Sequence, residues 1–320
     1  MSATHVAALR IATRKSRLAL AQAELVATLL ARVAGCAHVM LEITTRGDSV
    51  QDRSIAAIGG DGVFIKELET ALLEDRADIA VHSLKDMPTE TRAGVDAGIT
   101  IERGDARDAL ISRDNRYPTI ASLPHNALIG TSSPRRRAQL LALRPDLDIR
   151  DIRGNVDTRV RAVLDQRYDA AVLAVAGMDR IGLLGSVGGG SPLDPATFVP
   201  APGQGAIFVQ HRTGDKRVAD LLAPLQHAPT AIATTMERSF LRQMGGGCLM
   251  PIGAYASIDN GHATMSAFVG SPGGDVWLRR TFACDAEVGT ARAEMAADEM
   301  LDAGGRDILA LCRAAETKKA

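Results

Sequence analysis

Apolar positions along the first two hundred residues follow two alternating rhythms. Short apolar runs at Leu9–Thr13, Val39–Thr45, Asp78–His82, Ala127–Thr131, Ile149–Ile152 and Asp169–Ala176 have the length and boundaries of buried strands. Between them the spacing turns helical. Leu18, Ala21, Leu25 and Leu29 form one stripe over Ser16–Ala31, and Phe64, Leu68, Ala71 and Leu72 form another. Strands alternating with helices in this way predict βαβ units and parallel sheets. The stretch Gly47–Gly62 reads as a polar, glycine-bearing loop, and Gly185–Pro192 as a surface loop. The two βα-rich halves, 1–102 and 108–199, are expected to be two similar domains.

After residue 228 the pattern changes. Pro229–Met244 reads as a helix ending in Gly245-Gly246-Gly247. Three alternating strands follow at Ile252–Ser257, His262–Val269 and Val276–Ala283, then helical patterns over Glu287–Asp302 and Arg306–Ala315. Grouped strands followed by helices predict a smaller α+β domain.

A chain of 320 residues suits two or three domains, and 46% hydrophobic with 23% charged residues is an ordinary globular balance. Aromatics at 3% leave Ala, Leu, Val and Ile to build the core and remove the stacking platforms of single-stranded nucleic-acid binders. A formal charge of −1 gives no global positive field for nucleic acid or an anionic membrane. Met1–Leu9 lacks a signal-peptide pattern, and no apolar run reaches the roughly 18 residues a membrane span needs. Cys36, Cys248, Cys284 and Cys312 include no Cys-x-x-Cys pair, which argues against a disulfide framework or a zinc site. These features predict a soluble, cytoplasmic protein without metal.

Charge changes the picture locally. Helix N-termini carry partial positive charge and favour acidic residues. Here Arg14, Lys15 and Arg17 surround a helix start with Ser16 as cap. In Thr131-Ser132-Ser133-Pro134-Arg135-Arg136-Arg137, Ser133 fits the cap and Pro134 the first helical position, followed by three arginines. In Arg153-Gly154-Asn155-Val156-Asp157-Thr158-Arg159, Asp157 reads as the cap between two arginines. Each cluster follows a predicted strand, at the sheet edge where α/β folds bind ligands. An anion in front of these helices would justify the placement, whereas solvated arginines are the plain alternative. Gly-x-x-x-x-Gly-Lys-[Ser/Thr] is absent, Gly59-Gly60-Asp61-Gly62 carries an acid, and Gly203-Gln204-Gly205 is too short for a dinucleotide fingerprint. Several carboxylates on one ligand therefore suit the arginines better than phosphates.

Two further residues stand out. Asp86 follows a buried strand in His82-Ser83-Leu84-Lys85-Asp86-Met87-Pro88, where a carboxylate can stabilise developing positive charge or move a proton. The alternative is a turn residue, and His82 reads as a packed strand-end histidine. Cys248 follows three glycines, which predicts an accessible thiol, while Cys36, Cys284 and Cys312 read as buried and inert.

Arg10-Ile-Ala-Thr-Arg14-Lys-Ser16, Val63-Phe64-Ile-Lys66-Glu-Leu-Glu69, Asp78-Ile-Ala-Val-His-Ser-Leu-Lys85-Asp86, Thr131-Ser-Ser-Pro-Arg135-Arg136, Arg153-Gly-Asn-Val-Asp-Thr-Arg159, Pro202-Gly-Gln204-Gly and Gly246-Gly-Cys248 occur in this order. Together they closely resemble porphobilinogen deaminase, also called hydroxymethylbilane synthase. The resemblance implies head-to-tail joining of porphobilinogen into hydroxymethylbilane with release of ammonia, in tetrapyrrole and haem biosynthesis. It implies a dipyrromethane cofactor fixed by a thioether at Cys248. It implies Asp86 as the catalytic carboxylate, acting on pyrrole N–H groups as an azafulvene cation forms and couples.

By motif, Lys85, Ser133, Arg135 and Arg136 with Arg159 match cofactor-holding residues, with Ser83 and Thr131 nearby. Arg14, Ser16, Arg153 and Arg180 match the substrate side, with Gln22 and Gln204 as further candidates. The implied fold is α/β: two periplasmic-binding-protein-like α/β domains plus a smaller C-terminal α+β domain. Its expected boundaries are 1–102 with 200–222, 103–199, and 223–320. A monomer without nucleic-acid or membrane partners is expected. Asp61 and Asp179 depart from positions that are commonly basic in such relatives, so Asp61 is not expected to be a ligand. A two-lobed anion receptor is the competing class, and it leaves Cys248 unexplained.

Overall fold

The computed structural model describes residues 8–45, 47, 62–247 and 250–317. In chain order the strands are β1 (Leu9–Arg14), β2 (His38–Ile43), β3 (Ile79–Ser83), β4 (Ala97–Thr100), β5 (Asp108–Ile111), β6 (Leu128–Gly130), β7 (Asp148–Arg150), β8 (Ala170–Ala174), β9 (Ser191–Pro192), β10 (Ile207–His211), β11 (Ile252–Asp259), β12 (His262–Gly270) and β13 (Trp277–Asp285). The helices are α1 (Arg17–Ala34), α2 (Lys66–Leu73), α3 (Pro134–Leu143), α4 (Val156–Leu164), α5 (Val175–Arg180), α6 (Lys216–Leu222), α7 (Ala228–Gln243), α8 (Gly289–Met300) and α9 (Arg306–Thr317).

The chain divides into two compact units, Met1–Arg103 with Ala206–Ala231, and Gly104–Gly205 with Ile232–Ala320. The first holds a five-stranded sheet in the order β2-β1-β3-β10-β4. Strands β1, β2 and β3 run parallel, but β10 is antiparallel to both β3 and β4. The second unit repeats this plan as β7-β6-β8-β5-β9, with β6, β7 and β8 parallel and β5 antiparallel to β8. The expected parallel βαβ pairs are present, but each sheet also carries an antiparallel strand and is mixed. In the first sheet the antiparallel strand β10 arrives from beyond residue 205, and in the second β5 skips β6 and β7 to pair with β8; local periodicity carries no trace of either partner.

Alternation along the strands sorts the first unit's core onto two faces. Ile11, Ile79, Val81 and Val209 pack with Ala23, Val26, Ala27 and Leu30 of α1. Ala12 and Ala80 pack on the opposite face with Leu68, Ala71 and Leu72 of α2. In the second unit Leu110, Ile129 and Val172 meet Leu140 and Leu141 of α3, while Ile111 and Leu173 meet Val160 and Val163 of α4.

The three-stranded sheet β11-β12-β13 belongs to this same unit. Its inner face packs against Met236, Phe240 and Met244 near α7, Ala293, Ala297 and Met300 of α8, and Ile308 and Cys312 of α9. Ala138, Val199 and Phe268 join it to α3. Cys36 and Cys312 are buried as expected, but Cys284 is only half-buried, on the edge strand β13, with burial pushing its thiol up.

Candidate active site

In the first unit the C-terminal ends of β1 and β3 share one sheet edge, because the two strands are parallel. The chain leaves β1 through Arg14, whose guanidinium lies 4.0 Å from the centroid of the Phe64 ring. Ser16 then caps α1, its Oγ accepting the Ala19 N–H at 3.3 Å. At the end of β3, Leu84–Asp86 forms a single 3₁₀ turn. Leu84 and Met87 are buried in one cluster with Ile65 and Ala206, and the Leu84 N–H donates to the Ala206 carbonyl at 3.0 Å. Anchoring the chain on both sides of Lys85 and Asp86 leaves those two charged side chains at the partly exposed rim. Ser83 and Gln22 exchange side-chain hydrogen bonds of 2.9 and 3.1 Å, so the 3%-exposed Gln22 braces the edge from inside α1.

The second unit presents the equivalent edge. Ser133 caps α3 by accepting the Arg136 N–H at 3.4 Å, and Pro134 opens the helix, as expected. Buried Thr131 accepts the Ser133 N–H at 3.2 Å, shaping the approach to the cap. The arginines behave differently from the expectation of guanidinium groups aimed at an external anion. Arg135 and Arg136 turn inward and share one carboxylate, Asp108, at 2.7 Å each. Arg135 also donates to the Val199 carbonyl at 2.7 Å, and Arg137 to the Ile149 carbonyl at 2.8 Å. The anion that justifies these cations is supplied by the protein itself.

Asp108 is fully buried. Burial opposes its ionisation, but Arg135 and Arg136 outweigh that cost and hold its carboxyl well below the usual range. Arg135, buried with it, is shifted down by desolvation. Two guanidinium charges against one carboxylate leave one net positive charge just behind the α3 N-cap.

Gln204 is also fully buried, donating to Asp108 at 3.0 Å and to the Ala106 carbonyl at 2.7 Å. Its amide is spent on bracing Asp108 inside the fold. The sequence reading missed Asp108, although an acid opening the apolar run Ala109-Leu110-Ile111 was a visible signal.

Arg153 and Arg159 flank the start of α4. Arg153 is exposed, 3.8 Å from Asp151, and Arg159 donates to the Gly154 carbonyl at 2.9 Å. The N-cap position here is Asn155, not Asp157, which lies inside the first turn. Arg180, at the end of α5, donates to the Gly205 carbonyl at 2.6 Å, and burial pulls its guanidinium below its ordinary range against the pull of Asp179.

Cys248 and Asp61 lie outside the described residues. Helix α7 leads toward the cysteine and ends at Gln243. Gly245 takes φ +64°, its N–H donating to Arg242 O at 2.9 Å, while the Gly246 N–H donates to Leu241 O at 3.2 Å. This is the double hydrogen bond of a Schellman ending. A Cβ on Gly246 would sit 2.3 Å from the Ile252 side chain. Two of the three glycines therefore have structural reasons of their own beyond baring a thiol, a left-handed backbone at Gly245 and close packing at Gly246.

Residues 9–220 match the family described as porphobilinogen deaminase, dipyromethane cofactor binding domain, and residues 231–301 match porphobilinogen deaminase, C-terminal domain. The chain belongs to the porphobilinogen deaminase family. It is a transferase that polymerises porphobilinogen into hydroxymethylbilane with a dipyrromethane cofactor. Among solved structures, the Bordetella pertussis BvgS periplasmic domain is similar over 67% of this chain and 39% of that one, at 14% identity and TM-score 0.38. The OxyR2 regulatory domain from Vibrio vulnificus, in a sulfate-bound mutant form, is 13% identical over 70% of this chain and 95% of that one, with TM-score 0.41. A probable amino-acid ABC transporter extracellular-binding protein from Bacillus subtilis is 10% identical over 68% and 89%, with TM-score 0.40. This chain spans well under half of the BvgS domain. Scores this low leave the topology to be read from the sheets themselves.

Each edge, taken by itself, carries groups of the kind the family's cofactor calls for. Carboxylate side chains on a pyrrole call for hydroxyls, helix-start N–H groups and cations. Ser133 and the net-positive Arg135–Arg136–Asp108 cluster supply these in the second unit, and Lys85 with the capped start of α1 supplies them in the first. No helix of the described residues is long and apolar enough to cross a membrane.

Proposed function

We propose that Cys248 carries the dipyrromethane through a thioether and that Asp86 is the carboxylate at which each porphobilinogen unit reacts. The observation that carries this reading is the Leu84–Asp86 turn. Buried residues pin it on both sides, and it holds one carboxylate and one ammonium at the end of a central strand. The bound dipyrromethane supplies the pyrrole carbon to which new units are joined. Asp86 accepts the pyrrole N–H and stabilises the positive charge that develops on the ring. Lys85, Ser83, Thr131, Ser133 and Arg159 hold the cofactor's carboxylates. Arg135 and Arg136 contribute through their residual positive charge behind the α3 start. Arg14, Ser16, Arg153 and Arg180 take the incoming substrate's acetate and propionate. Gln22 and Gln204 serve these sites by bracing Ser83 and Asp108.

The division into 1–102 with 200–222, 103–199, and 223–320 is our functional partition, with the cysteine-bearing segment in the third part. A cytoplasmic monomer acting on a small molecule without nucleic acid completes the reading; the net charge of −1 supports the last of these, since it gives no global positive field for nucleic acid.

Intact mass measurement is the test. The purified protein is expected to be heavier than its sequence by one dipyrromethane, and Cys248→Ser to remove the excess. A mass gain surviving that substitution overturns the attachment point. Asp86→Ala is expected to keep the added mass and lose about 10²–10⁴-fold in turnover; a near-normal rate removes its role.

A further inference from the structure

The last two residues of β3 point to opposite faces of the sheet, and each is tied to a different element. Ser83 lies on the α1 face with Ile79 and Val81, and its hydroxyl pairs with Gln22 of α1. His82 lies on the α2 face with Ala80. There His82 Nε2 is 3.0 Å from Gln210 Oε1 on the neighbouring β10, and Gln210 Nε2 donates to Glu69 Oε1 of α2 at 3.1 Å and to the Val95 carbonyl at 2.6 Å. All three side chains are buried, with exposures of 4% for His82, 0% for Gln210 and 5% for Glu69.

This chain of bonds has one consistent arrangement. Both hydrogens of the Gln210 amide nitrogen are used by acceptors, Glu69 and Val95. A reversed amide would set its oxygen against a carboxylate and a carbonyl. The oxygen must therefore face His82, and His82 must donate through Nε2–H. Burial keeps the ring neutral down to about pH 4; the Gln210 bond opposes this shift and the charge of Arg14 adds to it. Glu69 from α2 and Arg14 from the end of β1 are the charged groups facing this chain.

We propose that His82, Gln210 and Glu69 are positioning residues for the reaction. With Ser83–Gln22 on the other face, they clamp the end of β3 from both sides and fix the turn that presents Asp86 four residues on. The clamp involves three elements packed on β3 (α1, α2 and β10), so the turn inherits the rigidity of the sheet rather than that of a loop. A reacting carboxylate gains most from such fixing, since a shift of about 1 Å costs on the order of 10²-fold in rate. The proposal rests on Asp86 being the reacting carboxylate.

The test uses the cofactor-loaded protein. His82→Leu is expected to lower kcat by about ten-fold or more while KM stays within about two-fold and the added dipyrromethane mass is kept. His82→Gln, which returns an N–H donor toward Gln210, is expected to recover most of that loss. Gln210→Met, which leaves His82 in place, is expected to reproduce the kcat defect and serves if His82→Leu does not fold. In an Asp86→Ala background, His82→Leu is expected to add nothing, because it acts through Asp86. Equal losses in His82→Gln and His82→Leu overturn the proposal. So does a wild-type kcat in His82→Leu and Gln210→Met, or a loss that persists in full without Asp86. Near-normal turnover in Asp86→Ala alone would instead sink the underlying assignment, so the two failures are distinguishable.

Discussion

Asp108 is the residue on which the second unit's strand-end edge turns. It is one buried carboxylate shared by Arg135 and Arg136 and held also by Gln204. Asp108→Asn leaves two buried guanidinium groups with a neutral partner, and the expected loss is about 3–5 kcal/mol of stability, measured by denaturant unfolding. Its pH dependence has a definite sign. The folded carboxyl titrates below its unfolded value of about 3.9, so its contribution is complete above that pH and is lost as the pH falls through it toward the depressed folded value. The acid limb of the stability curve is therefore expected to flatten in Asp108→Asn.

His82 works the same way at milder pH. Its folded pKa of about 4 lies below the unfolded 6.5, so stability drains as the pH falls from about 6.5 to 4. His82→Gln is expected to remove that component, and a wild-type slope over this window in the variant contradicts the burial argument. The packed strand-end position of His82 was legible in the sequence, but the partners of neither residue were. Asp108 is paired with positions 27 and 28 residues away and His82 with one 128 away, and nothing in the local spacing announces such partners.

Helix starts were legible, since the chemistry that makes them is local. Ser16 and Ser133 cap where the sequence placed them, and Ser133→Ala is expected to cost about 1 kcal/mol in thermal unfolding. The Asp157 cap failed because Asn155 takes the N-cap position two residues earlier, with no side-chain bond to mark it. Strands β4, β5 and β10 escaped the periodicity reading because each is set into its sheet by an antiparallel partner far along the chain. The β12–β13 hairpin supplies the sharpest test at this scale. Gly274 has φ +72° and packs so closely on α3 that a Cβ would lie 2.6 Å from Leu141 Cβ and 2.7 Å from both Ala138 O and Ala142 N. Two of these three atoms are helix backbone and have no room to yield. Gly274→Ala is expected to cost about 2–4 kcal/mol by denaturant unfolding, combining left-handed strain with overpacking. A cost near zero would mean that the hairpin tip does not rest on α3 as described.

At the scale of the whole molecule, the two five-stranded sheets share one strand arrangement, but only the first is completed by a strand, β10, that enters from the other side of a long insertion; the second draws all its strands from 108–192. In the first unit that insertion is 104–205, and its ends are neighbours. Thr100 of β4 and Phe208 of β10 are directly opposed in an antiparallel ladder. Opposed residues in such a ladder lie about 4.5–5.5 Å apart, a gap that a two-residue Asn-Gly hairpin turn closes. A chain carrying 1–102, that turn and 206–231 is therefore expected to fold alone. It retains all five strands, both helix-packed faces and the Leu84–Ala206 contact behind Asp86. The measurement is cooperative denaturant unfolding together with protection of β3 amides in hydrogen exchange. A chain ending at 103 is the control: it lacks β10, the strand between β3 and β4, and with it the partner of His82, so it is expected to unfold without cooperativity. If the excised unit behaves like that control, the sheet draws essential stability from the rest of the chain. If it folds, the frame that presents Asp86 is self-sufficient, and the long insertion is an addition to a complete sheet.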